Sequence, residues 1–207
     1  MTRVLVFDFD GTLVDSNRLK YQAYFEIFPD SPGVSSVIRG VLDRIYEASR
    51  YAIIEEIVRQ LRQQGLMEVP EEDLESAASR LAEQYGRIVL EGVKQCPEIP
   101  GAGSLLEELF RIGAAAYLSS TTPEGPLRQL VEHRGWSRFF KGVFGHPRRK
   151  EETLKEIMEA EGASPRETMV IGDGESDRAA AEKCGTAFAP VESGRLPTDL
   201  ILKFARC

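Results

Sequence analysis

The sequence predicts an α/β protein, a doubly wound parallel sheet flanked by helices, with an all-α domain inserted after the first strand. Three observations predict it. The chain opens on "VLVFDFDG" at 4–11, an apolar run of the length of a buried strand. Residues 17–96 carry almost nothing but amphipathic helical pattern. Beyond them, short apolar runs alternate with helical segments that end in Gly, the pattern of βαβ units. The opening strand finds no strand partner in the helical middle, so it must join the later sheet. Residues 1–16 and 97–207 therefore form the core domain, and 17–96 an inserted helical cap.

Taken in order, the first strand covers 3–9 and ends in an Asp-rich turn before Gly11. "RLKYQAYFEIF" (18–28), "VLDRIYEASRYAIIEEIVRQLRQQG" (41–65) and "EEDLESAASRLAEQYGRIVLEGVKQ" (71–95) each repeat apolar residues at helical spacing, with Gly65 as the expected C-cap of the second. "CPEIPGAG" (96–103) is the linker that ends the helical part. After it come helix "SLLEELFRIG", strand "AAAYLS", helix "GPLRQLVEHRG", strand "GVFG", helix "EETLKEIMEAEG", strand "TMVIGD", helix "DRAAAEKCG" and strand "TAFAPV". Ser164 with Glu167 reads as a capping box.

Composition bounds the function. The 207 residues suffice for a substantial core, and a net charge of -7 weakens any nucleic-acid reading, because phosphate backbones are bound by basic surfaces. The best basic run, "HPRRK" at 146–150, reads as a solvated loop. Asp8 interrupts the first apolar run before it could serve as a signal-peptide core, and no later segment approaches the length of a membrane span. Cys96, Cys184 and Cys207 are odd in number, far apart and without a CxxC pair, which favours a reducing cytoplasm. A monomer or weak homodimer without nucleic-acid or membrane partners is expected.

In such a sheet, ligands sit at the carboxyl ends of the strands. There the sequence places Asp8 and Asp10 after the first strand, Ser119 and Ser120 after the second, and Asp173 and Asp177 after "MVIG", while Lys150 opens a helix. Clustered carboxylates repel, and their simplest common partner is a hard divalent cation with a preference for oxygen; Mg²⁺ fits and also recruits phosphate oxygens. A carboxylate is already ionised at neutral pH, so Asp8 can attack phosphorus without a base to activate it. The cation and Lys150 would neutralise the phosphoryl oxygens while Ser119 donates a hydrogen bond. Asp10 would protonate the leaving oxygen and later deprotonate the attacking water. The spacing of two suits this, since alternate strand residues project to the same side.

"DFDGTLVDS", "YLSS", a Lys before a helix and "GDGESD", in this order, resemble the haloacid dehalogenase superfamily of phosphohydrolases. The resemblance covers the whole chain and includes a helical cap inserted after the first motif, as in the phosphoglycolate phosphatase and β-phosphoglucomutase subgroup. It implies a Rossmann-like core and a Mg²⁺-dependent phosphatase acting on a small phosphorylated metabolite through an aspartyl phosphate. By resemblance Asp8 is the nucleophile, and Asp10 is the acid/base, with its backbone carbonyl on Mg²⁺. Ser119, Ser120 and Lys150 bind the phosphoryl group. Asp8, Asp10, Asp173 and Asp177 make up the metal site, with Asp177 either a ligand or a partner that holds one. Ser119 and Ser120 can exchange roles, because relatives often carry Asn at the second position. Arg148 and Arg149 neighbour Lys150, but Lys directly before the helix is the preferred reading.

Asp10 speaks for phosphate-ester chemistry, because dehalogenases lack the second Asp of the motif. A sugar-phosphate mutase is the alternative within the superfamily; such mutases carry a His on the first cap helix where this chain has Lys20. A non-catalytic protein that holds Mg²⁺ and phosphate is the alternative from another class, and intact Asp8 and Asp10 argue against it. The cap offers Arg18, Lys20, Arg39 and Arg50 for an anionic leaving group, with Arg50 and then Lys20 the expected specificity positions.

Overall fold

A computed structural model describes residues 3–45, 49–68, 70 and 73–206 of the chain. Contacts divide it into two compact units, Met1–Ser16 with Lys94–Cys207, and Asn17–Val93.

The first unit is built on five parallel strands, β1 (Val4–Phe7), β2 (Ala115–Pro123), β3 (Gly142–His146), β4 (Thr168–Gly172) and β5 (Ala187–Pro190), in the order β3-β2-β1-β4-β5. The opening strand is thus central, paired with β2 on one edge and β4 on the other. Val4 and Val6 project to one face and pack with Ala115, Tyr117 and Val170 against Leu154, Ile157 and Ala181. Leu5 and Phe7 alternate to the other face and are fully buried too. Coverage on both faces is why the run is continuously apolar rather than alternating.

Helices α1 (Asn17–Glu26), α2 (Pro32–Ile45), α3 (Arg50–Gln63) and α4 (Leu74–Gln95) account for the second unit, and α4 runs on to the boundary with the first. Ile53, Ile54, Ile57, Val58 and Leu61 give α3 a buried stripe, as Val34, Val37, Ile38, Val41 and Leu42 give α2. The single helix expected over 41–65 is two helices: Ser49, in extended backbone, accepts a hydrogen bond from the Ala52 N–H and starts α3 afresh. Gly65 lies one residue past the Gln64 cap, with φ of 66°.

The remaining helices, α5 (Ala102–Arg111), α6 (Glu124–His133), α7 (Lys150–Glu161), α8 (Glu175–Cys184) and α9 (Thr198–Ala205), belong to the first unit. The last of these, α9, follows the final expected strand and adds to the elements anticipated from sequence. Ser164 and Glu167 form the capping box, here on a short 3₁₀ turn before β4. Cys96 and Cys184 carry free thiols, and Cys207 lies outside the described residues. Among the described residues no helix is long and apolar enough to cross a membrane.

Candidate active site

The strand order reverses beside β1, with β2 and β3 to one side and β4 and β5 to the other, and such a reversal opens a crevice at the carboxyl ends of the strands. Asp8 comes directly after β1, its N–H donating to the Ile171 carbonyl of β4 at 2.8 Å, and Asp173 comes directly after β4. Lys150 is the first residue of α7, and its Nζ lies 2.8 Å from Asp177 Oδ1 and 3.3 Å from Asp8 Oδ2. Asp177, on the first turn of α8, occupies space that only a glycine at 172 leaves: a Cβ there would lie 2.3 Å from the Asp177 Cγ.

Charge in this pocket of side chains does not balance. One ammonium faces two buried carboxylates, with Asp173 close by. Burial pushes the Asp8 carboxyl above the ordinary aspartate range, Lys150 pulls it back in part, and the charges of Asp10 and Asp173 add to the rise. Burial and then the charge of Asp8 push Asp177 up to about 8 against the pull of Lys150. Burial would lower Lys150 itself, but Asp8 and Asp177 outweigh it and hold the ammonium above the ordinary lysine value. Two carboxylate oxygens, Asp8 Oδ1 and Asp177 Oδ2, are buried without a hydrogen-bond partner. Asp8, Asp173 and Asp177 each offer an oxygen within 4.8 Å of the others. Unpartnered buried oxygens and surplus negative charge are what a hard divalent cation resolves, so the residues fit a metal ion bound by carboxylates.

Asp10 has different company. The strand ends at Phe7, earlier than expected, so Asp10 lies in the loop rather than on an alternating strand position. That loop is tight: Leu13 and Val14 N–H groups both donate to the Phe9 carbonyl, and Gly11, at φ of 72°, donates to Val14. Buried Asp10 accepts from Ser16 Oγ at 2.6 Å on Oδ1 and from Thr122 Oγ1 at 2.7 Å on Oδ2. Its side chain is outside the Asp8–Asp173–Asp177 group.

The family described as haloacid dehalogenase-like hydrolase matches residues 5–191, nearly the whole chain. The chain belongs to that family. Phosphoglycolate phosphatase 1 of Pseudomonas aeruginosa is 25% identical over 199 residues, covering 94% of this chain and 71% of the relative. A 5'-nucleotidase of the same organism is 24% identical over 196 residues, covering 92% and 82%. Among solved structures, a predicted phosphoglycolate phosphatase from Haemophilus somnus superposes with a TM-score of 0.71 at 19% identity, covering 91% of this chain and 84% of that one.

Within this hydrolase the other expected site residues fall as follows. Ser119 and Ser120 are both buried within β2, which runs on to Pro123, past the end expected for it, and they lie where its pairing with β3 becomes irregular. Ser120 Oγ accepts from the Thr122 N–H at 3.2 Å, whereas Ser119 Oγ has no hydrogen bond among the described residues. Arg148 and Arg149 turn to solvent and pair with Glu156 and Glu151, so Lys150 alone of the three cations meets Asp8. In the helical unit, Arg50 opens α3 with Nη2 at 3.3 Å from the Tyr51 hydroxyl and a buried Nε without a partner. The guanidinium occupies room left by Gly86, where a Cβ would lie 3.2 Å from Nη1. Lys20 is half-buried on α1, and its carbonyl accepts from the Tyr85 hydroxyl at 3.2 Å. Sequence reasoning passed over three hydroxyls: Ser16, Thr122 and Thr12, the last donating to Asp173 Oδ1 at 2.9 Å. Thr12 and Ser16 sit inside "DFDGTLVDS", so the motif itself held the signal.

Proposed function

We propose that this hydrolase cleaves small phosphomonoesters by covalent catalysis, with Asp8 as the nucleophile. The observation that carries the reading is the buried Lys150 ammonium between Asp8 and Asp177, beside carboxylate oxygens that lack partners. A buried cation at the end of β1 favours the anionic form of Asp8 against the burial that opposes it, and offers positive charge to a phosphoryl group that meets it. Asp8, Asp173 and Asp177 would hold Mg²⁺, with Asp177 also fixing Lys150. The bound cation supplies charge neutralisation and orientation for the phosphoryl oxygens.

The steps then follow from the residues. An Asp8 oxygen forms a bond to phosphorus as the bond to the leaving oxygen breaks, and Asp10 gives that oxygen its proton. Lys150 and the Ser119 hydroxyl bind the phosphoryl oxygens while charge shifts across them. Ser119 suits this better than Ser120, whose hydroxyl already accepts from the chain. Asp10, now a carboxylate, takes a proton from water as the water oxygen attacks phosphorus, which releases phosphate and restores Asp8.

The helical unit would serve as the cap that selects the leaving group, with Arg50 and Lys20 as the positions that read it. The names of the two Pseudomonas relatives, one acting on phosphoglycolate and one on nucleotides, support a small metabolite as the substrate class. Dispersed cysteines and an acidic surface suit action in the cytoplasm.

The test is phosphate release from a panel of phosphorylated metabolites with Mg²⁺ and after exhaustive chelation, repeated for Arg50→Ala. Mg²⁺-dependent release, and a substrate ranking altered by Arg50→Ala, are expected. Full activity after chelation would remove the metal from the account.

A further inference from the structure

Thr122 belongs to none of the motifs, yet it is buried with its hydroxyl 2.7 Å from Asp10 Oδ2. Three features of the fold put it there. The β2-β3 ladder is irregular: β2 advances from Ser119 to Pro123 while β3 advances only from Phe144 to His146, so β2 bulges across Thr122. Bulges beside active sites re-aim a side chain that regular alternation would send elsewhere. The β3 backbone lies so close to this bulge that a Cβ on Gly145 would meet the Thr122 carbonyl oxygen, and the Glu124 backbone, at 2.5 Å. Ser120 Oγ accepts from the Thr122 N–H at 3.2 Å and fixes the turn from inside.

We propose that Thr122 is a positioning residue for Asp10, fixing one carboxylate oxygen while Ser16 fixes the other. This rests on the reading of Asp10 as acid/base and extends it to a residue in the β2 bulge. An acid/base must be held in one orientation through two protonation states. A hydroxyl donates to a carboxylate and, by rotating about its C–O bond, accepts from a carboxylic acid, so its contact survives the transfer of a proton. Lysine and arginine only donate, and a cation in the place of Thr122 would hold Asp10 as an anion, unable to protonate the leaving oxygen. In the contacts described, a cation meets Asp8 and a hydroxyl meets each oxygen of Asp10.

The experiment compares Thr122→Val and Thr122→Ser with wild type on two substrates: p-nitrophenyl phosphate, whose leaving group needs little protonation, and the alkyl phosphomonoester turned over fastest in the panel. In Thr122→Val the ratio of alkyl to aryl kcat/KM, which reports only the step that expels the leaving group, should fall by about tenfold or more, a fraction of what a positioned acid contributes. Thr122→Ser should restore the ratio to within about twofold, because the hydroxyl is kept. An equal loss on both substrates, or no change in the ratio, overturns the inference. If Thr122→Val does not fold, Thr122→Ala carries the same comparison. Asp10→Asn, measured alongside, keeps the two readings apart. Wild-type alkyl turnover in that variant removes the acid/base assignment itself, whereas an impaired Asp10→Asn with an unchanged ratio in Thr122→Val removes only the positioning role.

Discussion

Asp8 and Asp10 stand two residues apart and are nearly equally buried, at 8% and 7% exposure, yet their partners belong to different chemical classes. Asp8 meets a buried ammonium on one oxygen and leaves the other, buried among carboxylates, without a hydrogen-bond partner, whereas Asp10 accepts from a hydroxyl on each. The spacing of two brings both to the end of one strand but does not divide the labour. Their partners do. A permanent cation favours the charged form of its neighbour, as a nucleophile needs, while a hydroxyl tolerates both forms, as an acid/base needs.

The comparison breaks most completely at Asp8. Asp8→Asn replaces the nucleophilic carboxylate with a neutral amide, so phosphate release should fall to the uncatalysed background while the circular dichroism spectrum is retained. Retained turnover would move the covalent role elsewhere. Next in size is Lys150→Ala, which should cost about 2–4 kcal/mol of transition-state stabilisation, read as kcat/KM. Arg148→Ala should stay within about 1 kcal/mol of wild type, because it removes an exposed pair with Glu156. A crippled Arg148→Ala beside a near-normal Lys150→Ala would reverse that assignment. Smaller still is Gly172→Ala, whose methyl group collides with Asp177 and should lower unfolding stability by about 1–3 kcal/mol. It should also raise the Mg²⁺ concentration needed for half-maximal activity. An unchanged melting temperature and Mg²⁺ dependence would mean that Asp177 can move without consequence.

Much of this was legible in the chain. The motif aspartates and Lys150 lie at strand ends and at a helix start, places that the alternation of apolar runs and Gly-terminated helices already marks. "HPRRK" was harder, since three consecutive cations each suit the spacing; Glu156 and Glu151 draw Arg148 and Arg149 to the surface and leave Lys150 for the site. Thr122 carried no local signal, because its place depends on a β-bulge and on the lack of a side chain at Gly145, far along the chain. The helical unit shows the same limit. Apolar periodicity runs through 41–65 without a break, and among the described residues it is the capping hydrogen bond of Ser49 that marks α3 as a separate helix.

The division of roles between the two aspartates is tested most directly by rapid-quench kinetics on Asp10→Asn with p-nitrophenyl phosphate, combined with mass spectrometry of the quenched protein. With a leaving group that needs little protonation, Asp8 can still attack, but no base remains to activate water for the second step. The expected result is a burst of nitrophenol approaching one per active site, then a stall, with a phosphoryl group found on Asp8. Steady turnover at the wild-type rate with no phosphorylated protein would contradict the account.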